Sequence, residues 1–435
     1  MVIRAPATAD STAFAMAVWM LGAVPVPIVV TATPADIDHV VTETAADVMV
    51  TATRWRDDEL LPPPSGIRRV VTIGDDLPRA PLPAIARPSP SDVACILYTS
   101  GSTAAPKGVQ HSHETLLFGL TLVPADATTR TLASFPAGHV ASLLGLLRPL
   151  TVGGTTVVMD RWSARAAAAL IEQYRLTTSA GTPFFLATLL DVAEASGRDI
   201  CSLDKFLVGA AAVPPALVAR AETAGITTWR TYGSTEHPAI SSGGPTDPPD
   251  KRRHTDGRVT PGNEVRLVDE AGHDVEPGAE GEIVARGPKQ FLGYRNAALD
   301  ADAFVDETWF RTGDLGHFDD DGYLVITDRA KDVIIRGGEN ISSREVEETL
   351  AGAPGVADIA VCAAPDDVWG EAVCAVVVPS ANPPTLATLR EHCRSRGLAP
   401  HKFPTSMVVI DKLPRTPAGK VRKRDLRPLL ANDHR

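Results

Sequence analysis

The chain has 435 residues, of which 44% are hydrophobic and 22% are charged, as in an ordinary globular protein and unlike a disordered one. This length exceeds what one hydrophobic core usually supports, so two or three domains are expected. The formal net charge of −11 argues against a general nucleic-acid-binding protein, which normally carries an excess of basic residues. An anionic ligand would therefore have to be held by local groups.

Five cysteines are spread along the chain, odd in number and widely separated: Cys95, Cys201, Cys362, Cys374 and Cys393. This distribution predicts neither a disulfide framework nor a zinc site, and it favours a reducing, cytoplasmic location. The first residues do not combine a charged region, an apolar region and a small-residue cleavage site. We therefore expect no secretory signal.

Residues 13–30 carry no charge and are about long enough to be considered as a membrane span. Gly22, Pro25 and Pro27 interrupt the segment. A short helix at about 12–21 followed by a strand at about 24–30 is the better interpretation, because prolines and glycine break a continuous helix. No membrane span is expected.

Apolar runs typical of strands alternate with alanine-rich amphipathic stretches through the first three quarters of the chain. The predicted strands are residues 24–30, 47–51, 93–98, 155–159 and 206–209, and two of the predicted helices are residues 163–174 and 215–224. This alternation predicts an α/β fold in which the sheets are mainly parallel.

The pattern changes at about Asp328, where the predicted strands become shorter (333–336, 357–363 and 372–378). Ser342, three residues before Glu345, predicts a helix that begins with a capping box. Val346 and Leu350 would lie on its buried face. We therefore expect a large domain over residues 1–330 and a small α+β domain over residues 331–435.

A segment rich in glycine, serine and threonine directly follows the predicted strand at 93–98. Residues 98–108 read YTSGSTAAPKG, so backbone N–H groups, hydroxyls and the cation of Lys107 could face a phosphate. The spacing differs from that of a Walker loop. An ordinary solvent-exposed turn is the alternative.

Two further segments carry groups suited to a nucleotide. In the first, Tyr232 could stack on a base, Thr235 could donate to a phosphate and Glu236 could hold Mg²⁺, although a strand end with a capping acid fits as well. In the second, Asp314 follows a glycine and suits ribose hydroxyls, and Arg329 could reach the same sugar or a phosphate. A pair of turns with solvated charges is the alternative there.

The fourth segment is the exposed, turn-like basic loop at residues 414–423. Such runs are usually solvated surfaces or nucleic-acid patches. Gly419 allows close approach of the backbone, so delivery of Lys420 into a phosphate site is equally consistent with the sequence.

In this order the four segments resemble the adenylate-forming superfamily, which comprises acyl- and aryl-CoA synthetases, luciferases and the adenylation domains of nonribosomal peptide synthetases. The resemblance covers essentially the whole chain. It implies an α/β fold with a large N-terminal domain of layered, mainly parallel sheets and a small mobile α+β C-terminal domain. It also implies ATP, Mg²⁺ and CoA as the molecules bound.

The resemblance assigns a role to each matching residue. The loop over the ATP β- and γ-phosphates would be formed by Thr99, Ser100, Gly101, Ser102, Thr103 and Lys107. Other nucleotide- or pocket-lining positions would be Gly209, Ala210, Ala211, Tyr232, Gly233, Asp314, Arg329, Lys331 and Gly338. Metal binding would fall to Glu236 and Thr103, and catalysis to Lys420, Glu236, Thr235 and His139.

The reaction implied by the resemblance begins with attack of a carboxylate on the α-phosphate of MgATP, which gives an acyl-adenylate and pyrophosphate. Lys420 and the loop donors would offset the repulsion between carboxylate and triphosphate. The small domain would then rotate about Lys331 and present the Gly337–Gly338 segment to the thiol of CoA. The same site would thereby serve two half-reactions.

The predicted substrate is a medium-chain, alicyclic or aryl carboxylic acid. Residues 135–138 contain no aspartate to pair with an amino group, which disfavours an α-amino acid. His139 resembles the gating aromatic or histidine of acyl- and aryl-CoA synthetases, and a buried histidine bonded to backbone is the alternative. The subgroup that the chain resembles most is the bacterial cyclohexanecarboxylate- and fatty-acid-CoA ligases.

Two departures from the family pattern leave alternatives open. Ala104 stands where the loop usually has glycine, and the chain opens at a segment, 2–6, that normally lies well inside these proteins. An upstream start, a truncation or a repurposed member would each explain the second departure. Other functions left open are a stand-alone enzyme that loads an acyl-carrier protein, a nitrite-activating enzyme and a non-catalytic relative. A homodimer is also left open, and no nucleic-acid partner is expected.

Overall fold

The computed structural model describes residues 1–75, 84–99, 106–120 and 126–430. Its contacts divide the chain into two compact units. The first consists of Met1–Val265 with Ala285–Phe310, and the second of Arg266–Val284 with Arg311–Arg435. The domain boundary between residues 330 and 331 that the sequence suggests stays a prediction.

The first unit is built around a seven-stranded sheet whose first five strands are parallel. In spatial order the strands are Thr155–Val158, Arg130–Ala133, Thr178–Gly181, Lys205–Gly209, Thr227–Tyr232, Ser241–Ser242 and Arg258–Val259. The last two strands are antiparallel to their neighbours. Because parallel strands end at the same edge, the residues after Ala133, Gly181, Gly209 and Tyr232 gather there.

A second, four-stranded parallel sheet in this unit has the order Val26–Ile28, Val2–Arg4, Val48–Thr51 and Arg69–Thr72. A third sheet has three antiparallel strands, Gly293–Tyr294, Lys107–Ser112 and Val93–Thr99. Short antiparallel pairs join Arg54–Trp55 to Asp58–Glu59, and Phe304–Val305 to Trp309 and Phe310.

The helices of the first unit are Ala9–Met20, Pro34–Thr44, His113–Leu120, Val140–Val152, Ala164–Tyr174, Pro183–Ser196, Pro215–Thr223 and Pro249–His254. The helix Ala164–Tyr174 begins where the hydroxyl of Ser163 accepts from the N–H of Ala166, as a helix start requires. Its buried face packs with Leu186 and Phe206 in the largest core of the unit.

The segment considered as a membrane span folds as a helix, Ala9–Met20, followed by a strand, Val26–Ile28. The interpretation of its prolines and glycine as breaks is therefore confirmed. Within the ranges that the structure describes, no helix combines the length and the apolar character needed to cross a membrane.

The second unit contains a five-stranded sheet with its own core. Four of its strands have the order Glu339–Ile341, Ile334–Arg336, Gly370–Pro379 and Val356–Asp366, and Ser406–Val409 runs parallel to Gly370–Pro379. The helices are Ser343–Leu350, Leu386–Ser395 and Arg427–Leu430. Strand Leu324–Arg329 pairs antiparallel with the C-terminal half of Trp309–Phe318. The remaining strands, Glu264–Val268 and Gly281–Arg286, have residues in both units.

Only half of the predicted capping box is present at the helix Ser343–Leu350. The hydroxyl of Ser342 accepts from the N–H of Glu345 at 3.1 Å, as predicted. The Glu345 carboxylate instead accepts from Nζ of Lys402 at 2.6 Å, since a cation competes well with a backbone N–H for a carboxylate. Val346 and Leu350 are buried as expected.

The α/β fold class predicted from the sequence is confirmed. One strand differs from the prediction, because Val93–Thr99 lies in an antiparallel sheet rather than in the parallel one. An apolar run shows that a strand is buried, but it does not show which strand lies beside it.

Candidate active site

Two residues assigned to the predicted phosphate loop, Thr99 and Lys107, lie on neighbouring antiparallel strands. Thr99 ends one strand and is paired with Lys107, the first residue of the other strand. Lys107 therefore sits on regular structure at the end of this strand pair, rather than within a loop. Four residues assigned to this loop, Ser100, Gly101, Ser102 and Thr103, lie outside the described residues.

The end of this strand pair is held on one side by a tyrosine–carboxylate contact. The hydroxyl of Tyr98 donates to the Glu43 carboxylate, and burial, followed by this contact, raises the pKa of Tyr98. Arg295 donates its N–H to the carbonyl of Gly108 at 2.6 Å. These bonds fix the strand from which Lys107 projects.

A tight turn follows the strand Thr227–Tyr232 and carries two of the predicted catalytic residues. Ser234 donates its N–H to the carbonyl of His237 at 3.1 Å, and His237 donates its N–H back to the Ser234 hydroxyl at 3.2 Å. A Cβ on Gly233 would lie 2.4 Å from the nitrogen of Ala239, closer than atoms can approach. The turn therefore presents Thr235 and Glu236 in a backbone path that needs glycine at its start.

Buried His111 supports the turn from the strand Lys107–Ser112. Its Nε2 donates to the carbonyl of Thr235 at 2.7 Å, and its Nδ1 lies 3.1 Å from the hydroxyl of Thr115. Burial lowers the pKa of His111, so the ring is neutral near pH 7 and the bond to Thr235 identifies Nε2 as the protonated nitrogen. Thr235 is thus held through its backbone, which leaves its hydroxyl available.

Glu236 and Lys107 are joined through one tyrosine. The hydroxyl of Tyr294 donates to Oε1 of Glu236 at 2.9 Å, and Nζ of Lys107 lies 4.8 Å from the centre of the same ring. Burial, and then the charge of Glu236, raise the pKa of Tyr294. Two predicted ATP-binding positions are therefore brought together by a residue that the sequence did not single out.

A buried polar cluster lies behind the turn. His237 is fully buried and its Nε2 lies 3.2 Å from Oδ1 of Asn263. The hydroxyl of Thr260 donates to the carbonyl of Ala239 at 2.8 Å and accepts from buried Lys289. Burial lowers the pKa of His237 to about 4 and that of Lys289 to about 8. Such a network, with strongly shifted groups directly behind a turn, is typical of functional sites.

The other predicted pocket positions follow the same edge of the sheet. Gly209 ends the strand Lys205–Gly209 and is buried, and Ala210 and Ala211 after it are exposed. Tyr232 ends the adjacent strand and pairs with Ser241. The structure thus places Gly209 and Tyr232 on neighbouring strand ends, as expected for residues lining one pocket.

His139 caps a helix and belongs to an aromatic group. Its Nδ1 accepts from the N–H of Ala141 at 3.1 Å, a backbone contact like that of the predicted alternative, although His139 is half-buried rather than buried. The ring stacks on Phe135, with centres 4.7 Å apart, and Phe135 contacts Phe185, which stacks on Trp162. With Nδ1 accepting, a neutral His139 carries its proton on Nε2.

The second unit brings Asp314 and Arg329 together. They are direct cross-strand partners, and Nε of Arg329 donates to Oδ1 of Asp314 at 2.8 Å. The carboxylate is nearly buried, whereas the guanidinium is partly exposed. The pairing orients the Asp314 carboxylate.

The charges of Asp314 and Arg329 act on two lysines of the same unit, Lys420 and Lys331. Lys420 follows a turn in which Gly419 donates its N–H to the carbonyl of Thr416 at 2.8 Å. Burial lowers the pKa of Lys420 to about 8, with the charge of Arg329 lowering it further and Asp314 opposing. Burial, and then the charge of Arg329, also lower the pKa of Lys331. The predicted turn is confirmed, although Gly419 is buried and the loop is less exposed than expected.

The charges near Lys420 are largely paired within the unit. Nζ of Lys423 lies 2.8 Å from Glu347, and Arg422 lies 3.0 Å from Asp425. A nucleic-acid patch needs free cations, so these pairs disfavour that alternative.

Gly338 occupies a two-residue hairpin turn with Gly337. The φ angle is 60° at Gly337 and 89° at Gly338. The two residues join Ile334–Arg336 to Glu339–Ile341. Two consecutive positive φ values require the flexibility of glycine. The N–H of Gly337 donates to the carbonyl of Trp369 at 2.9 Å.

Sequence reasoning missed Tyr294, His111 and Lys289. The spacing of polar residues in the sequence does not indicate them, because each acts through a contact with a segment distant in the chain. Only the presence of two histidines close to the predicted motifs could have drawn attention to His111 and His237.

Two family models match the chain. The model described as AMP-binding enzyme matches residues 1–295, and the one described as AMP-binding enzyme C-terminal domain matches residues 345–420.

Several curated proteins are similar to the chain. A medium-chain fatty-acid–CoA ligase of Escherichia coli is 38% identical over 76% of this chain and 60% of its own length. An indoleacetate–CoA ligase of Aromatoleum aromaticum is 36% identical over 82% and 70%. A salicyl-AMP ligase / salicyl-S-ArCP synthetase of Mycobacterium tuberculosis is 34% identical over 94% and 78%. The chain thus spans less than two thirds of the length of the first of these relatives.

A solved structure supports the same relationship. The o-succinylbenzoate coenzyme A synthetase of Bacillus subtilis, in complex with ATP and magnesium ion, has a TM-score of 0.84 and 26% identity, covering 99% of this chain and 88% of that one. The chain belongs to the AMP-binding enzyme family, within the adenylate-forming superfamily.

Proposed function

We propose that the protein is an ATP-dependent carboxylate–CoA ligase that forms an acyl-adenylate and pyrophosphate before acyl transfer to CoA. The observation that carries this proposal is the turn that presents Thr235 and Glu236, with Glu236 linked through Tyr294 to Lys107. A hydroxyl, a carboxylate and a cation at one place suit an MgATP phosphate chain. The matched CoA ligases support the assignment.

Glu236 is the residue that would hold Mg²⁺. Its Oε1 accepts from Tyr294, and a carboxylate oxygen has further lone pairs for a cation. Within the described ranges no group of three or more His, Cys, Asp or Glu side chains could hold a metal, which fits an ion bound by one carboxylate and substrate phosphates. When bound, Mg²⁺ would neutralise phosphate charge.

The first half-reaction forms a bond between an oxygen of the acid and the α-phosphorus, and breaks the bond from that phosphorus to pyrophosphate. Both reactants are anions, so cations must offset their repulsion. Lys420 and Arg329 are proposed for this role, and Asp314 for the ribose hydroxyls. A Lys420 pKa of about 8 leaves this side chain mostly protonated at neutral pH.

The proposed acid is a medium-chain, alicyclic or aryl carboxylic acid. The half-buried ring of His139, stacked on Phe135, supports this choice, because stacked rings provide an apolar surface for a chain or a ring. Phe185 lies behind them in the buried core. Names of the matched relatives include both a medium-chain fatty acid and indoleacetate.

CoA is the proposed acceptor, and an acyl-carrier protein is the alternative. The alternative has support from the matched salicyl-S-ArCP synthetase. We propose a cytoplasmic location, which the absence of a disulfide among the five described cysteines supports. A homodimer stays a prediction.

The experiment that tests the function is a product assay with ATP, Mg²⁺, CoA and a panel of ring and medium-chain acids, read by mass spectrometry. We expect AMP and an acyl-CoA in equal amounts with at least one acid. AMP without acyl-CoA, together with transfer to a carrier protein, would support the alternative acceptor. Absence of AMP with every acid would contradict the ligase function.

A further inference from the structure

Tyr294 contacts two groups of the proposed ATP site at once. Its hydroxyl donates to Glu236 across 58 positions of sequence, and its ring face meets the Lys107 ammonium at 4.8 Å. Tyr294 is 5% exposed, whereas Glu236 and Lys107 are half-buried, so each contact is shielded from water on the side of the tyrosine and is stronger than at a fully exposed site.

The surrounding structure fixes the ring. The backbone of Tyr294 pairs with Val109 on the strand that begins at Lys107, and its N–H donates to Asp300 at 2.8 Å. The ring also packs edge-on against Phe291, with centres 5.0 Å apart. Phe291 in turn donates its N–H to the carbonyl of Glu236 at 2.7 Å. Tyr294 is therefore tied by backbone to the Lys107 strand and by side chain to the Glu236 turn.

The two contacts of Tyr294 reinforce each other. A phenol that donates to a carboxylate has a more electron-rich ring, which attracts a cation more strongly. A cation on the ring face withdraws electron density and makes the hydroxyl a better donor. A change in the charge at Glu236 is therefore felt by Lys107 without direct contact between them.

We infer that Tyr294 is a positioning residue that couples Mg²⁺ binding at Glu236 to phosphate binding by Lys107. This inference rests on the proposed function. A cation at Glu236 weakens that carboxylate as an acceptor, so the Tyr294 ring loses attraction for Lys107. The lysine then becomes free to bind the terminal phosphates. Positive coupling between metal and nucleotide is the consequence.

The test is the affinity for ATP, measured by calorimetry with Mg²⁺ and with EDTA, in the wild type and in Tyr294→Phe. The ratio of the two dissociation constants reports the coupling. The phenylalanine keeps the ring over Lys107 and removes only the hydroxyl, so we expect the ratio to shrink by roughly fivefold or more. AMP lacks the terminal phosphates, so the effect of Mg²⁺ on the affinity for AMP should be the same in Tyr294→Phe as in the wild type.

Tyr98→Phe is the matched control. It also removes a tyrosine–carboxylate hydrogen bond of the same strand pair, the one to Glu43. Loss of that bond should loosen the strand that carries Lys107 equally with and without Mg²⁺, because, in the part of the chain that the structure describes, Tyr98 makes no hydrogen bond to Glu236 and its ring does not lie over Lys107. We expect its ATP ratio to equal that of the wild type. Equal ratios in Tyr294→Phe and the wild type, or equal losses in both variants, would overturn the inference.

A second variant keeps the inference testable if Tyr294→Phe proves unstable on thermal unfolding. Lys107→Gln removes the cation, and it should lower the ATP ratio as Tyr294→Phe does. Where Tyr294→Phe is stable, the double variant should show no further loss, because both changes break the same link. Additive losses would contradict the coupling. A wild type that does not bind ATP would instead contradict the proposed function.

Discussion

Lys420 illustrates what a single side chain contributes to the proposed chemistry. It is a lysine whose environment, burial first and then Arg329, favours the neutral form. The proposed reaction needs a cation beside the triphosphate. The environment of Lys420 therefore lowers the fraction of the enzyme in which this lysine is protonated. The activity should therefore have an upper pH limit close to the physiological range.

We predict that kcat/KM for ATP in adenylate formation falls as the pH rises through about 8. The profile of kcat/KM reports the free enzyme, in which Lys420 is protonated below this pH and neutral above it. Pyrophosphate exchange measured from pH 6 to 10 without CoA avoids interference from thiol titration.

Lys420→Arg serves as the matched variant in the pH experiment. Arginine stays charged throughout this range, so the fall should move beyond pH 10 even though the rate at pH 7 is lower. A fall at the same pH in the arginine variant would assign the titration to another group.

The roles of individual residues were only partly predictable from the sequence. Glu236, Asp314 and Lys420 could be singled out because each stands in a short segment with a recognisable composition. Tyr294 could not, since its meaning depends on contacts with Glu236 and Lys107, which lie far away in the chain. Side-chain partnerships across such separations are set by packing, which local sequence does not encode.

At the scale of elements, the turn after the strand Thr227–Tyr232 is the part most sensitive to backbone geometry. Gly233 starts it, and His111 and Phe291 hold the carbonyls of Thr235 and Glu236. The backbone is thus fixed on several sides, while the two side chains stay available for a ligand. Catalytic groups are commonly positioned in this way.

We predict that Gly233→Ala displaces this turn. Its Cβ would lie 2.4 Å from the Ala239 nitrogen and 2.7 Å from the His237 carbonyl oxygen. These are backbone atoms, which cannot move aside without distorting the turn. The free energy of unfolding should fall by about 1–3 kcal/mol, and kcat/KM by roughly a hundredfold. Denaturant unfolding and pyrophosphate exchange measure the two effects.

Gly244→Ala is the control for that substitution. Nothing lies within 4 Å of a Cβ at this position, so stability and activity should stay close to those of the wild type. If both alanine variants behaved alike, the tight approach at Gly233 would not constrain the site.

Elements themselves were more predictable than their pairing. The strands and helices that the apolar runs and the prolines indicated in the first unit were located to within a few residues, although other elements were not named. The antiparallel pairing of Val93–Thr99 with Lys107–Ser112 was not foreseen, because a run of buried residues fits either kind of sheet. Likewise, the partner of Glu345 turned out to be Lys402, which sequence proximity to Ser342 could not reveal.

At the scale of the whole molecule, the two units have separate cores. The second unit has a cluster from Ile334 to Phe403 and another from Ala360 to Leu430. Both clusters lie beyond residue 330, at which the sequence pattern changes. This distribution supports the proposed domain boundary without depending on the arrangement of the units.

We predict that a fragment of residues 331–435 folds by itself. Its two clusters contain the apolar residues that a domain of this size needs, and we expect a cooperative transition with a free energy of unfolding of roughly 5 kcal/mol or more. Circular dichroism during urea unfolding measures it. The same fragment with Val377→Asp, a charge in the first cluster, should remain unfolded, and an unfolded parent fragment would contradict the boundary.

The central claim is that the chain activates a carboxylate by transferring AMP to it. Acid-dependent exchange of labelled pyrophosphate into ATP, without CoA, tests it most directly. We predict exchange with at least one medium-chain, alicyclic or aryl acid, and a loss of roughly a hundredfold in Lys420→Ala. An enzyme that binds ATP but exchanges pyrophosphate with no acid, or whose exchange is unchanged in Lys420→Ala, would contradict the account.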